Sequence, residues 1–439
     1  MTRSTVSVWR LGAGVVGLAF VLTAAGALVG GASDAPAAPA AAGAGAAVGQ
    51  GTSAAVGPLQ AHLKAQPKDA GAWASLGAAY VEEARISGDP ALYPKAEQAL
   101  ARSLRLRPDG NAEALSGRAA LAAARHDFPA ALRDADGALA VNRYSERGLA
   151  VRIDALVELG RYDDALKAAG LADDRRPGIP VFTRFAYVRE LRGEVAEAQR
   201  VLELARDSAS TRGDIAYTAT ALGQLAWSQG RYDEALRHCT EALKADPGNL
   251  EAREYRARVT AAKGDLPSAV EEFEKIVEQS PLPGRLVALG ELYEATGKTA
   301  LARQQYAVVS TWTGLARAGG MNVDLDTALA AADHGDRAEA LRAARAEWQR
   351  RRTVHTEDAL AWALYRAGKP REALAHARQA TATGYRNAVF LYHRGAIERA
   401  VGDTAAARGS LSRALALNPH FSPLGAREAR RMLDGLEGS

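Results

Sequence analysis

Cysteine appears once in this chain, at Cys239, so no internal disulfide can form and a disulfide-stapled fold is excluded. The residue lies in a helical stretch, where a lone thiol reads as a small buried hydrophobe. Aromatic residues make up only 6% of the sequence, against abundant alanine and leucine. Sheets draw on aromatic and β-branched side chains, so this balance favours closely packed helices. Charge of a single sign is missing too. Lysine plus arginine number 55 against 51 acidic residues, the formal net charge is +4, and the two signs are interspersed. Such a surface carries no electrostatic footprint for nucleic acid. No G-x-S-x-G, P-loop or H-E-x-x-H occurs, which removes the common catalytic signatures.

What is present begins with a targeting pattern. Arg3 and Arg10 precede a stretch from Leu11 to Gly30 that carries no charge. Small-residue sites at Ala25-Gly26-Ala27 and Gly30-Gly31-Ala32 suit a signal peptidase. The same run is long enough to serve as an uncleaved membrane anchor, so residues 1–32 read as a signal peptide or an anchor. The next basic residue is Lys64, and the positive-inside bias sends everything after the run across the membrane. The expected location is therefore outside the cytoplasmic membrane, secreted or held by a single-pass segment. Residues 33–57 are mostly Ala, Gly, Pro and Ser, and read as a flexible linker.

The remainder is ruled by alanine. Ala96, Ala131, Ala165, Ala198, Ala235, Ala269, Ala302, Ala340, Ala373 and Ala407 are separated by 33 to 38 residues. Glycine stands five residues before eight of these ten, at Gly160, Gly193, Gly230, Gly264, Gly297, Gly335, Gly368 and Gly402. One turn and two amphipathic stretches per period predict a helical solenoid, which grows without a single large core. In this reading the alanine lets helix B approach helix A, and a second small residue (Gly77, Gly223, Gly290, Gly395) does the same from helix A. The turn glycine suits a left-handed backbone. Pro108, Pro177, Pro247, Pro281 and Pro419 each stop a helix twelve residues after its alanine.

Trp73-x-x-Leu76-Gly77-x-x-Tyr80 with Ala96, Leu100 and Pro108, and Leu286-x-x-Leu289-Gly290-x-x-Tyr293 with Gly297, Ala302 and Tyr306, resemble the tetratricopeptide repeat family. The resemblance covers residues 58–420. It implies an all-α, right-handed α-solenoid of about ten helical hairpins, with Phe421–Leu436 as a C-terminal capping helix and Pro58–Gln66 as a lone helix beneath the first repeat. Longer loops and irregular bends are expected at Asp207–Asp214 and Ser310–Met321, with a break at Gly319-Gly320.

In tetratricopeptide proteins helix A lines the concave wall. Carried onto this sequence, that places Thr183, Arg184, Tyr187, Tyr217, Thr220, Gln224, Trp227, Glu254, Tyr255 and Arg258 on or beside the wall, with Asp358, Trp362, Tyr365, Tyr392 and His393 in the last two repeats. Aromatic and arginine side chains are good anchors in a groove, although some of them also suit packing between repeats. The lysines and asparagines with which a known subclass grips a peptide carboxylate are missing, Thr220 and Gln224 standing in two of those positions. Asp333-His334-Gly335-Asp336 coincides with a turn, Thr356 reads as an N-cap, and Glu347–Arg352 reads as a solvated helix end. The favoured expectation is a non-catalytic scaffold that binds a protein or peptide, with no cofactor, no metal and no nucleic acid. The competing one is an enzyme or small-ligand binder with a pocket around residues 310–360.

Overall fold

The computed structural model describes residues 53–87, 90–318 and 321–437. The apolar run, most of the linker, Gly88-Asp89 and the expected break at Gly319-Gly320 lie outside them. No helix among the described residues is long and apolar enough to cross a membrane.

A lone helix, α1 (Ser53–Ala65), leads into ten antiparallel pairs. They are α2 (Ala70–Ser87) with α3 (Tyr93–Leu106), α4 (Ala112–Ala124) with α5 (Phe128–Val141), and α6 (Glu146–Glu158) with α7 (Tyr162–Arg175). Next come α8 (Ile179–Leu191) with α9 (Val195–Asp207), α10 (Arg212–Ser228) with α11 (Tyr232–Ala245), and α12 (Leu250–Ala262) with α13 (Leu266–Gln279). The last four are α14 (Pro283–Ala295) with α15 (Thr299–Ala318), α16 (Asp324–His334) with α17 (Arg337–Arg350), α18 (Val354–Arg366) with α19 (Pro370–Ala380), and α20 (Ala388–Ala400) with α21 (Thr404–Leu417). A final helix, α22 (Gly425–Glu437), packs on α20 and α21. The architecture is an all-α solenoid.

All ten ruler alanines are at most 1% exposed, wedged between the paired helices. The facing glycines explain why. A methyl at Gly77 would press on the side chain of Leu100, at Gly290 on the ring of Tyr306, and at Gly395 on Leu411. Cys239 occupies the same place against Gly223, so the lone thiol is a packing residue. Side-chain caps start many of the helices. Asn111, Ser145, Thr211, Asn249, Thr353 and Asn387 cap A helices, while Asp127, Asp265, Asp336 and Asp403 cap B helices. Thr353 therefore holds the cap expected of Thr356, because α18 begins at Val354. Thr356 is its third residue and its hydroxyl accepts from the Thr353 amide, closing a capping box.

Seven of the eight turn glycines adopt positive φ, from 70° at Gly230 to 97° at Gly264. Gly335 does not, since α16 stops in an extended conformation there. In the second repeat His126 takes the glycine position, with φ 59°. It closes the same turn, its amide bonding to Ala123 O and the Asp127 amide to Ala122 O. The residues expected in long loops are absorbed mostly by helix. α10 has 17 residues and α15 has 20, where a typical partner has 13 or 14. Likewise α1 begins at Ser53, inside the expected linker.

The array winds back on itself. Lengthened α15 carries Trp312 and Ala316 into one apolar core with Leu92, Tyr93 and Leu121 of the first two repeats. From there each turn of an early hairpin meets the exit of the hairpin five repeats later. His126 Nδ1 is 2.8 Å from the carbonyl of Asn322. The Val354 amide donates to the Tyr162 hydroxyl at 2.9 Å, and Tyr232 donates to Asn418 at 2.6 Å. Asn418 in turn donates to the Trp227 carbonyl at 2.8 Å. A Cβ at Gly160, Gly193 or Gly230 would collide with the carbonyl of Arg352, Gly384 or Leu417 respectively. Glycine serves these three turns twice, through its backbone freedom and through close approach.

Candidate partner-binding wall

Winding of this tightness changes what helix A offers. Arg184 is buried, and its guanidinium forms a fork with Asp154 of the preceding repeat, both N–O distances being 2.9 Å. Its third nitrogen donates to the Pro180 carbonyl. Glu254 accepts from Arg258 on its own helix at 2.8 Å and from Arg285 of the next repeat at 3.0 Å. Burial raises the Glu254 carboxyl, but the two guanidiniums outweigh it and hold the group below the usual range. Such rungs tie neighbouring hairpins together along the inner wall.

The aromatic residues expected there are mostly packing. Tyr187, Tyr217, Trp227 and Tyr255 are 5% to 9% exposed. Burial pushes the Tyr187 and Tyr255 hydroxyls well above their ordinary pKa. Thr183 and Thr220 are buried and turn their hydroxyls onto backbone carbonyls of their own helices. Trp227 meets Tyr232 in a tilted ring contact at 5.4 Å and lines a cavity of about 220 Å³ beneath α22, with Arg258, Phe273, Phe421 and Arg430. Gln224, Glu254 and Arg258 remain half-exposed.

In the last repeats Trp362, 2% exposed, stacks on His393 at 3.9 Å and on Tyr365 at 5.0 Å, with Tyr392 at 5.5 Å. Its indole nitrogen donates to Asp333, and His393 pairs with Asp358. This cluster is the core between repeats, so Trp362 and Tyr392 present little surface to a partner. The same helices explain the polar run at the eighth turn. Asp333 also lies 3.4 Å from Arg366, His334 stacks on Tyr306 at 4.0 Å, and Asp336 caps α17. Each member of the run has a structural role. No group of three His, Cys, Asp or Glu with metal-holding geometry occurs among the described residues.

Sequence reasoning missed the charged groups that share the wall. Glu251 keeps exposed surface, yet desolvation by surrounding protein raises its carboxyl. Arg147 is half-exposed and desolvation lowers its guanidinium. Glu190 is pushed up to about 7 by burial, against a bond to Ser228 that opposes the shift. Groups that keep exposed surface and are nevertheless desolvated stand in a concave, protein-walled space. Desolvation lowers the Arg85 guanidinium, but its pairing with Glu82 and, more weakly, the charges of Tyr217 and Glu251 in the fifth and sixth repeats outweigh it and raise the group. The available signal was charge placed on otherwise apolar A helices, which periodicity alone ranks as solvated.

The tetratricopeptide repeat family model matches residues 220–282 and 359–420. A U-box domain-containing protein of Oryza sativa subsp. japonica is 27% identical over 178 residues, which cover 38% of this chain and 21% of that protein. A TPR repeat-containing protein of Methanocaldococcus jannaschii is 30% identical over 132 residues, covering 29% of this chain and 22% of that one. The chain thus spans only about a fifth of the length of these curated relatives. Among solved structures, a thermophilic TPR protein of Thermus thermophilus is 26% identical, with 39% of this chain and 92% of that chain covered and a TM-score of 0.36. Sequence pattern, family match and helical pairing agree: the chain carries tetratricopeptide repeats, stacked as an all-α solenoid.

Proposed function

We propose that the protein is a non-catalytic scaffold, exported or membrane-tethered, that holds a peptide segment of a partner protein against its inner wall. Stacked repeats of this kind generally provide concave surfaces for protein binding. One observation supports the reading: Arg85, Arg147, Glu190 and Glu251 all stand on A helices and keep exposed surface, yet desolvation by surrounding protein acts on each of them. A helices thus offer both charge signs together with the Gln224 amide. An extended peptide offers alternating donors and acceptors, and a desolvated mixed wall recognises these more strongly than an open surface does.

The test is site-specific photo-crosslinking in intact cells. A crosslinking residue is placed at Gln224 or Glu251 on the wall and, as a control, at Lys275, which is exposed on α13. Crosslinks to one partner from the first two positions and not the third are expected. Partner crosslinks only from Lys275 would remove the inner wall from the function. Export is tested separately by fusing alkaline phosphatase to the C-terminus, where activity requires an extracytoplasmic location.

A further inference from the structure

We propose that the groove at the amino-terminal end of the array is a second docking site, for an acidic peptide that carries a large apolar side chain. The groove lies between α1 and α3, with α2 as its floor, and has a volume of about 630 Å³. Leu63, Trp73, Leu76, Tyr80 and Ala99 supply an apolar base. Lys64 comes from α1, and Lys95, Arg102 and Arg105 come from α3. The three on α3 fall at helical spacing, so they and Gln98 form one face along the groove.

The charge of this groove departs from that of the rest of the chain. No carboxylate lines it. Neighbouring arginines are matched to acids: Arg107 to Glu113, Arg118 to Asp134, Arg125 to Glu97. None of Lys64, Lys95, Arg102 and Arg105 makes an ion pair among the described residues. Four like charges around one concavity raise its potential and favour an anionic occupant. The chain's own amino-terminal segment is a poor candidate, because residues 1–52 contain a single acid, Asp34, against Arg3 and Arg10. A flat lipid surface would meet the basic rim and leave the Trp73 floor unfilled. A peptide satisfies both, its carboxylates on the rim and its apolar side chain on Trp73 and Leu76. The residues of α2 used here are those the repeat pattern turns away from the inner wall, so the two surfaces act independently.

The probe is a short fluorescein-labelled peptide alternating glutamate with leucine, titrated into the full chain and read by anisotropy. Binding should weaken with added salt, and the same peptide with lysine for glutamate should not bind. The double variant Lys95→Glu, Arg102→Glu should lose affinity by about tenfold or more, and Trp73→Ala should weaken binding while leaving the salt dependence intact. Lys64→Glu, on a different helix, is an exposed single change that should also weaken binding. Circular dichroism checks that each variant stays helical. Unchanged affinity in Lys64→Glu and the double variant would overturn the proposal. So would retention on phosphatidylglycerol vesicles with no binding to the acidic peptide.

Discussion

Arg351 and Glu158 lie 193 residues apart in sequence and form a buried ion pair across the turn of the superhelix. Arg351, just past the end of α17, also bonds Glu347 in that helix and sits over the Phe128 ring at 4.9 Å. Burial lowers its guanidinium to about 10, which leaves it charged at neutral pH. The pair bolts the third repeat to the eighth. Removing one partner of a buried pair strands the other charge, and such losses run to about 3–5 kcal/mol. Arg351→Met should therefore lower unfolding free energy by about that amount in urea titration. A loss under about 1 kcal/mol would mean that water already reaches the site.

Two glycines separate the cost of closure from the cost of the turn. Gly160 and Gly368 have nearly the same φ, 72° and 77°. A Cβ at Gly368 meets open space, while one at Gly160 meets the Arg352 carbonyl. Alanine at either site bears the left-handed penalty of about 1–2 kcal/mol. Only Gly160→Ala should add a further loss, seen as a clearly lower melting temperature than Gly368→Ala. Equal melting temperatures would show that the turns of early hairpins do not depend on the later exits.

The hairpins were legible because their determinants are local. A small residue every thirty-odd positions, a turn glycine and a stop proline each act within one repeat. Closure was not legible, because its contacts join loops 186 to 196 residues apart. Glu347–Arg352 illustrates this. In sequence it reads as a solvated helix end, yet Glu347 is 2% and Arg351 5% exposed, because Arg351 is covered by Phe128 and Glu158 of the second and third repeats and Glu347 is held by Arg351 and Asn322. Trp362 and Tyr392 misled in the opposite direction. Helix periodicity places them near the wall, but it cannot distinguish a side chain facing the trough from one stacked on the next repeat.

Cys239 offers a clock for opening. It is fully buried against Gly223, and burial pushes its thiol up to about 12. The attacking species is the thiolate, so the native chain should react with a disulfide reagent only as the fifth repeat opens. The labelling rate should rise with urea in step with loss of helicity. Rapid stoichiometric labelling without denaturant would show that α11 frays independently.

Among the groups shifted furthest, His126 and His355 should create acid sensitivity and Glu190 should oppose it, with the raised Glu251 carboxyl acting in the same sense as Glu190. Burial lowers His126 and His355 to about 4, from an ordinary 6.5. His355 Nε2 has no hydrogen-bond partner, and its ring lies beside Tyr385 and Phe390. As pH falls from 6.5 towards 4 the unfolded chain takes up these protons first, so stability is present above that window and lost within it. Glu190, raised from 4.5 to about 7, acts with the reverse sign: its contribution is present below 4.5 and lost as pH rises through 7. Between about 4.5 and 6.5 the two histidines should outweigh Glu190, so stability rises with pH. His355→Phe keeps a ring in the same apolar site and removes one titrating group. Its urea midpoint should rise less steeply with pH across that interval than the parent chain's. Parallel profiles for the two proteins would mean that His355 is solvated and contributes nothing to the acid response.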